Sequence, residues 1–594
     1  MKNKQLTLFL ISFLATIAVA AGLIFLISRL EIPQFGQLTF GQNNNVVPFH
    51  THFGLDPAVP NLVVNSQRLR EGIAPIVKYR GGVPHVYLPA SFLQADIDPF
   101  LFWDEGAGVF FASTRYDMLE FVPGSASVLI NGQSRPLATP IKRVQGEVFL
   151  PAALVESMYP LVVEYSAEYN MVVISHALQA QTTGTVSVNN ANVRYRPEGR
   201  ASITVRLRRG DTVVIFPSYT DSDFVRVRTP QGLLGYMLAE NIDDKVTSYG
   251  IDISRRTLFL PDWIDNTTPR PPRWDGGKIN LVWEQSTNQD ANRNRMQMPL
   301  HSSVTVVSPT WFGLDQHNLN ISSAASRAYV DWAHNQGVYV WPKVFDTNRA
   351  SATAILTNRD ARRTVINQLV TYVERYNLDG ININFEHLDY PLGPYKIQFL
   401  REFGIAMQDK DIVLSAAVFV PMDWSRFYRR DLIGLTLDFV MVMTYDEHWA
   451  RSPVSGPVAS LSWVQGAIIN MLREVPREQL LMGLPFYNRV WREVVGQDGP
   501  PTQTARGMDA TRTFFEENGV QWVWDSSIGS YYGYFVTDED GVTVRYRVWL
   551  EDVNSIAAKM QIYVVYDLAG VAGWRRGFEN EGIWDLLGIH FGVH

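Results

Sequence analysis

Between about residue 275 and the C-terminus, eight strand-like runs alternate with amphipathic helical stretches, and this alternation limits the available folds more than any other feature of the chain. The runs are 279–284, 303–308, 338–343, 380–386, 412–420, 438–445, 480–487 and 569–574. One intervening helix is predicted from Asp360 to Tyr376, with Val365, Ile366, Leu369, Val370 and Val373 on one face. Another is predicted from Ser322 to Gln336, closed by Gly337. Eight strand–helix units over about 315 residues fit a closed parallel (β/α)₈ barrel at 275–592. The gap before the last strand is too long for one helix. It holds hairpin-like runs at Tyr531–Phe535 and Val544–Trp549, which predict an α+β lobe inserted at 490–550.

The 594 residues are too many for a single core, and several domains are expected. At 46% hydrophobic and 19% charged, the composition argues against long disorder. A net charge of −7 without a long basic run argues against a nucleic-acid partner. The absence of cysteine excludes disulfides, Cys-ligated zinc and thiol catalysis. No spacing of histidines suggests a metal site, and no cofactor is expected. Sixteen tryptophans leave two readings open, barrel packing and stacking on sugar rings.

Lys2 and Lys4 precede an uncharged stretch from Leu6 to Ser28. As a helix, its 23 residues would span about 34 Å, enough to cross a bilayer. The apolar run continues past Ala18-Val19-Ala20 through Leu23-Ile24-Phe25-Leu26-Ile27, longer than the roughly 7–15 residues of a cleavable signal. Residues 1–30 are therefore expected to be an uncleaved transmembrane anchor, with a cleaved signal and secretion to the cell wall as the alternative. The lysines place the short end in the cytoplasm, so the bulk of the chain faces outward.

Residues 31–60, rich in Pro, Gly, Asn and Phe, are predicted to be a linker. In 61–180 a segment repeats at an offset of 62 residues: Val86-Tyr87-Leu88-Pro89-Ala90 is echoed by Val148-Phe149-Leu150-Pro151-Ala152. Residues 184–245 alternate short strands with turns, as in a small β-barrel. The fold class is thus multidomain: a C-terminal barrel preceded by all-β and α+β accessory modules and an N-terminal transmembrane helix.

The most informative string is Leu378-Asp379-Gly380-Ile381-Asn382-Ile383-Asn384-Phe385-Glu386. Side chains alternate along a strand, so Asn382, Asn384 and Glu386 share one side and Ile381, Ile383 and Phe385 the other. The apolar set is expected against the helices and the polar set inside the barrel. Three polar groups there are costly unless they bond one another or a ligand. Glu386 falls at the C-terminal end of its strand, where barrel enzymes place their chemistry.

This string resembles the glycoside hydrolase family 18 signature Asp-Gly-x-Asp-x-Asp-x-Glu. It matches at Asp379, Gly380 and Glu386 and departs at Asn382 and Asn384, where the family has Asp. Asn at the first position is familiar in the branch that includes spore-cortex-lysing enzymes. Met443-Thr444-Tyr445-Asp446 and Gly570-Val571-Ala572-Gly573-Trp574 resemble the ends of the family's sixth and eighth strands. Asn280-Leu281-Val282-Trp283-Glu284 and Tyr339-Val340-Trp341-Pro342-Lys343 resemble the first and third, and Arg547-Val548-Trp549 a segment of the inserted lobe. Residues 61–180 resemble the non-catalytic stalk module named from copper amine oxidases, more closely over 124–178 than over 61–123. Residues 184–245 resemble the bacterial Src-homology-3-like domain, which often ties enzymes to cell wall.

The resemblance implies a hydrolase of β-1,4-linked N-acetylglucosamine polymers, and the expected anchor and wall-type accessory domains put peptidoglycan ahead of chitin and the enzyme at the outward face of the membrane. Its partners would be that N-acetylated polysaccharide, cell-wall glycan bound by the accessory domains, and the membrane. Family 18 enzymes use the substrate's own acetamido oxygen as nucleophile. Glu386 would be the acid and then the base, Asn384 the group facing the acetamido N–H, and Tyr445 the donor to its carbonyl. Asp446, Trp574, Asn382, Glu284 and Trp549 would contact sugar. Asn384 lacks the charge that steadies the cationic intermediate, which also admits a weak or inactive glycan-binding protein. A two-carboxylate glycosidase using Asp446 or Glu284 is a third possibility.

Overall fold

The computed structural model describes residues 44–68, 72–217, 223–249, 259–269, 271–497 and 499–591. The expected membrane anchor at 1–30 lies outside them, and no helix among the described residues is long and apolar enough to cross a membrane. The chain divides into two units, one comprising 1–69 with 164–252 and the other 70–163 with 253–594.

In the first unit, strand Ala180–Val186 and six later strands form a seven-stranded antiparallel sheet. Val186, Val193, Leu207, Val213, Val227, Met237 and Ile242 form its core. Strand Asn61–Val64 pairs in parallel with Met171–His176. The predicted linker is partly structured: helix Phe49–Phe53 buries Phe49 against Val63, Met171, Val173 and Leu233. Phenylalanine in a nominal linker was the available sign that it packs.

The second unit contains the barrel. Its strands are β1 Ile279–Glu284, β2 Val306–Asp315, β3 Lys343–Asp346, β4 Gly380–Asn384, β5 Val413–Phe419, β6 Phe439–Met443, β7 Leu480–Pro485 and β8 Gly570–Trp574. Each pairs in parallel with the next, and β8 returns to β1, with Trp283 opposite Trp574. Ile381, Ile383 and Phe385 join the core between strands and helices, while Trp283, Trp341, Phe439 and Met441 fill the barrel interior. The expected helix at 360–376 is Arg359–Tyr376, capped by Asn358, whose side chain accepts from the amides of Asp360 and Ala361.

Two expectations need correction. The helix predicted at 322–336 is only Arg327–His334, because Asn320–Ser323 pairs antiparallel with the extended end of β2 and Ser326 then caps the helix. The third strand is broken rather than ending at 343. Tyr339–Val340 pairs with β2, then the ladder lapses around Pro342, which has no N–H to donate, and β3 resumes through Asp346.

The lobe between β7 and β8 is a five-stranded antiparallel sheet with helix Met508–Glu516 on it, packed through Val490, Phe515, Val520 and Val548. Residues 70–163 also belong to this unit. The two repeats meet each other: strands Val83–Pro89 and Glu147–Pro151 pair antiparallel with Leu88 opposite Leu150, and each runs into a short helix. The same segment is tied to the barrel helices by charge. Arg362 and Asp104, both fully buried, pair at 2.8 Å, and Glu120 pairs with Arg359 and Arg363. Arg401 donates to Ser113, Thr114 and Asn266.

Candidate active site

The C-terminal ends of the barrel strands surround a cavity of about 700 Å³. Its walls include Trp283, Asn384 and Glu386, the β5 side contributes Phe419, Met422 and Trp424, and the lobe contributes Tyr487 and Arg489. Strand β4 is fixed from below. A Cβ on Gly380 would lie 2.6 Å from the Trp341 ring and 2.7 Å from the Val413 carbonyl oxygen, so only glycine fits. The Asp379 carboxylate accepts the Val340 amide at 2.7 Å and faces His334 at 2.8 Å, which ties the start of β4 to the neighbouring strand and helix.

Asn384 and Glu386 stand together at the mouth. Asn384 Nδ2 donates to Glu386 Oε1 at 2.8 Å. Asn384 is buried, and its Oδ1 has no hydrogen-bond partner. The exposed Glu386 side chain sits on a backbone held from both sides. Its N–H donates to Asp346 Oδ1 at 2.9 Å, and its carbonyl accepts from the Tyr428 hydroxyl at 3.0 Å. Asp346 also accepts the His387 amide at 2.7 Å.

Tyr445 and Asp446 follow β6 into the cavity wall. Burial holds the Tyr445 phenol well above its ordinary pKa, with Glu386 and then Asp446 adding to the effect, so it stays a neutral O–H donor. Asp446 adopts a left-handed backbone conformation with φ of 65°. Its carboxylate accepts from the Tyr487 hydroxyl and from Arg489, the latter at 2.5 Å. Trp574 ends β8 and lines the cavity, with Lys343 Nζ 4.5 Å from its ring centroid. Burial pulls the Lys343 ammonium below its usual range, opposed by Glu386 and Asp346.

Three residues expected to contact sugar lie elsewhere. Asn382 is fully buried below the cavity, accepting from Trp283 Nε1 at 3.1 Å and donating to Ser415 Oγ at 3.0 Å. It satisfies the barrel interior. Glu284 is fully buried in an ion pair with Arg576 and accepts from the Tyr329 hydroxyl at 2.5 Å, which leaves it no face toward a ligand. Trp549 packs on Tyr532 within the lobe and does not line the cavity. Conversely, Asp346, Tyr428, Tyr487 and Arg489 carry the site's hydrogen bonds and were not singled out from sequence. Asp346 was hidden by the Pro342 break, and the other three follow strands whose ends gave no mark.

A parallel barrel with a carboxyl after β4, set in an aromatic cavity at the strand ends, has the layout of a barrel enzyme. Residues 289–579 match glycosyl hydrolases family 18 and residues 63–174 match the copper amine oxidase N-terminal domain, so the barrel domain belongs to family 18. The chain is similar to the uncharacterized glycosylase YvbX of Bacillus subtilis, 25% identical over 48% of this chain and 85% of the relative. It is also similar to the cortical fragment-lytic enzyme of the same organism, 25% identical over 40% of this chain and 56% of that protein. Among solved structures, the Bacillus cereus spore cortex-lytic enzyme SleL aligns at 19% identity over 56% of this chain and 76% of its own, with a TM-score of 0.46.

Proposed function

We propose that this glycosidase hydrolyses β-1,4-linked N-acetylglucosaminyl bonds at the outer face of the cell membrane, in peptidoglycan ahead of chitin, with the substrate's acetamido oxygen as nucleophile. The observation that carries this is the buried, unpartnered Oδ1 of Asn384. Its Nδ2 donates to Glu386, which turns the unpartnered Oδ1 into an acceptor for the substrate, as an acetamido N–H requires.

In the first step Glu386 gives its proton to the glycosidic oxygen as the C1–O bond breaks and the acetamido oxygen bonds to C1. The neutral Tyr445 hydroxyl donates to that acetamido group, and Asn384 Oδ1 receives its N–H. In the second step Glu386 takes a proton from water as the water oxygen displaces the acetamido oxygen at C1, which gives net retention. The relative named for lysing cortical fragments supports placing peptidoglycan first. The uncharged stretch at Leu6–Ser28, preceded by Lys2 and Lys4, supports the cell-surface location.

The test is hydrolysis of N-acetylglucosamine oligomers and of peptidoglycan by the full-length chain and by Glu386→Gln. Turnover is expected in the first and a loss of about 10³-fold or more in the second. Retained turnover in Glu386→Gln would remove the assignment. The uncharged Asn384 favours one other reading, glycan binding without turnover. Oligomer binding by an inactive wild type, unchanged in Glu386→Gln, would establish it.

A further inference from the structure

Behind the two groups that grip the Glu386 backbone lies a lysine with no hydrogen bond. Lys396, in helix Gly393–Ala406, is 1% exposed, and its Nζ has no partner. The ammonium lies 4.3 Å from the centroid of the Tyr428 ring, the residue whose hydroxyl donates to the Glu386 carbonyl. The helix is pressed against this loop: a Cβ on Gly393 would lie 2.6 Å from the Phe427 carbonyl oxygen. Burying an ammonium without a hydrogen bond costs several kcal/mol, so a leucine or methionine would serve better if packing were its only role.

We propose that Lys396 is a positioning residue for Glu386, its buried ammonium facing Asp346 and the Tyr428 ring and so fixing the two groups that hold the Glu386 backbone. The inference rests on the reading of Glu386 as proton donor. The charged and titratable groups around it are few. Asp346 faces it from β3, and Tyr428 presents its ring. Arg430 lies on the next helix and is itself paired with Glu474 at 3.0 Å. His387, with a half-exposed side chain, meets Asp346 from the solvent side at 3.2 Å, and Glu386 lies beyond.

Burial draws the Lys396 ammonium down to about 7, with Asp346 pulling back and Arg430 pushing further down. The lysine therefore loses its charge as pH rises through neutrality. Asp346 then loses a counter-charge and Tyr428 the cation on its face, and the hold on Glu386 loosens.

The test uses hydrolysis of N-acetylglucosamine oligomers by the full-length wild type, Lys396→Met and Lys396→Arg across neutral pH. At about pH 6, Lys396→Met should lower kcat about tenfold with KM within about twofold, down to the level wild type reaches near pH 8.5. Lys396→Arg keeps its charge and should hold kcat above wild type at the alkaline end. A wild-type profile in Lys396→Met, beside an inactive Glu386→Gln, overturns this proposal alone, whereas an active Glu386→Gln overturns the catalytic reading beneath it. Thermal unfolding supplies a measurement independent of turnover. The folded pKa lies below the unfolded one, so the unfolded chain binds more protons above neutrality and wild-type stability rises with pH there. The stability advantage of Lys396→Met should thus be largest near about pH 6 and shrink toward about pH 9. A constant offset overturns the buried charge.

Discussion

The Asn384 amide and the Glu386 carboxyl share a hydrogen bond of 2.8 Å, and that bond decides which face of the amide is left for a ligand. An aspartate in its place would bring charge next to the developing cationic intermediate. Asn384→Asp is expected to raise kcat about 10- to 100-fold on N-acetylglucosamine oligomers. Asn384→Leu should lower it, because no acceptor remains for the acetamido N–H. Steady-state kinetics of the two variants checks both directions, and equal activities would dissociate Asn384 from the reaction.

Tyr445 provides a pH prediction with a definite sign. Burial, then Glu386 and Asp446, favour the protonated phenol, so the donor persists above its ordinary range near about 10. Tyr445→Phe should lower kcat about 10- to 100-fold by the same factor at every pH up to about 9.5. A ratio of wild-type to variant activity that falls on the alkaline side would mean that the phenol ionises early.

The Asp104–Arg362 pair predicts that residues 70–163 are needed for a stable barrel. Both side chains are fully buried. Asp104→Ala leaves Arg362 with Glu402 but strips one of its two carboxylates, and should cost about 3 kcal/mol of unfolding free energy in urea. The double change Asp104→Leu with Arg362→Met should recover much of the loss, because it removes the stranded charge. A barrel expressed from about residue 275 should aggregate or melt far below the full chain.

The eight barrel strands were legible because a parallel strand buried on both faces reads as an apolar run; six were placed within about two residues at each end, while the second runs on to Asp315 and the third is broken at Pro342 and resumes at Lys343–Asp346. Glu386 was legible because polar residues at every second place of such a run demand a reason. Two kinds of feature were not. Glu284 looked like a site carboxylate at a strand end, but its neutralising partner, Arg576, is remote in sequence, and nothing local announces the pair. Lys396 reads as an ordinary helix-surface lysine, yet it is buried with its ammonium against the ring of Tyr428, which is 32 residues away and unannounced by anything local.

Two of the cavity's tryptophans give it a means of reporting its own occupancy. Trp424 and Trp449 are 56% and 51% exposed at the rim, so their indoles meet water while the cavity is empty. A sugar chain laid across them would replace that water with C–H groups and move their emission to shorter wavelength. Ligand titrations could then be followed by fluorescence without label or turnover, including in Glu386→Gln.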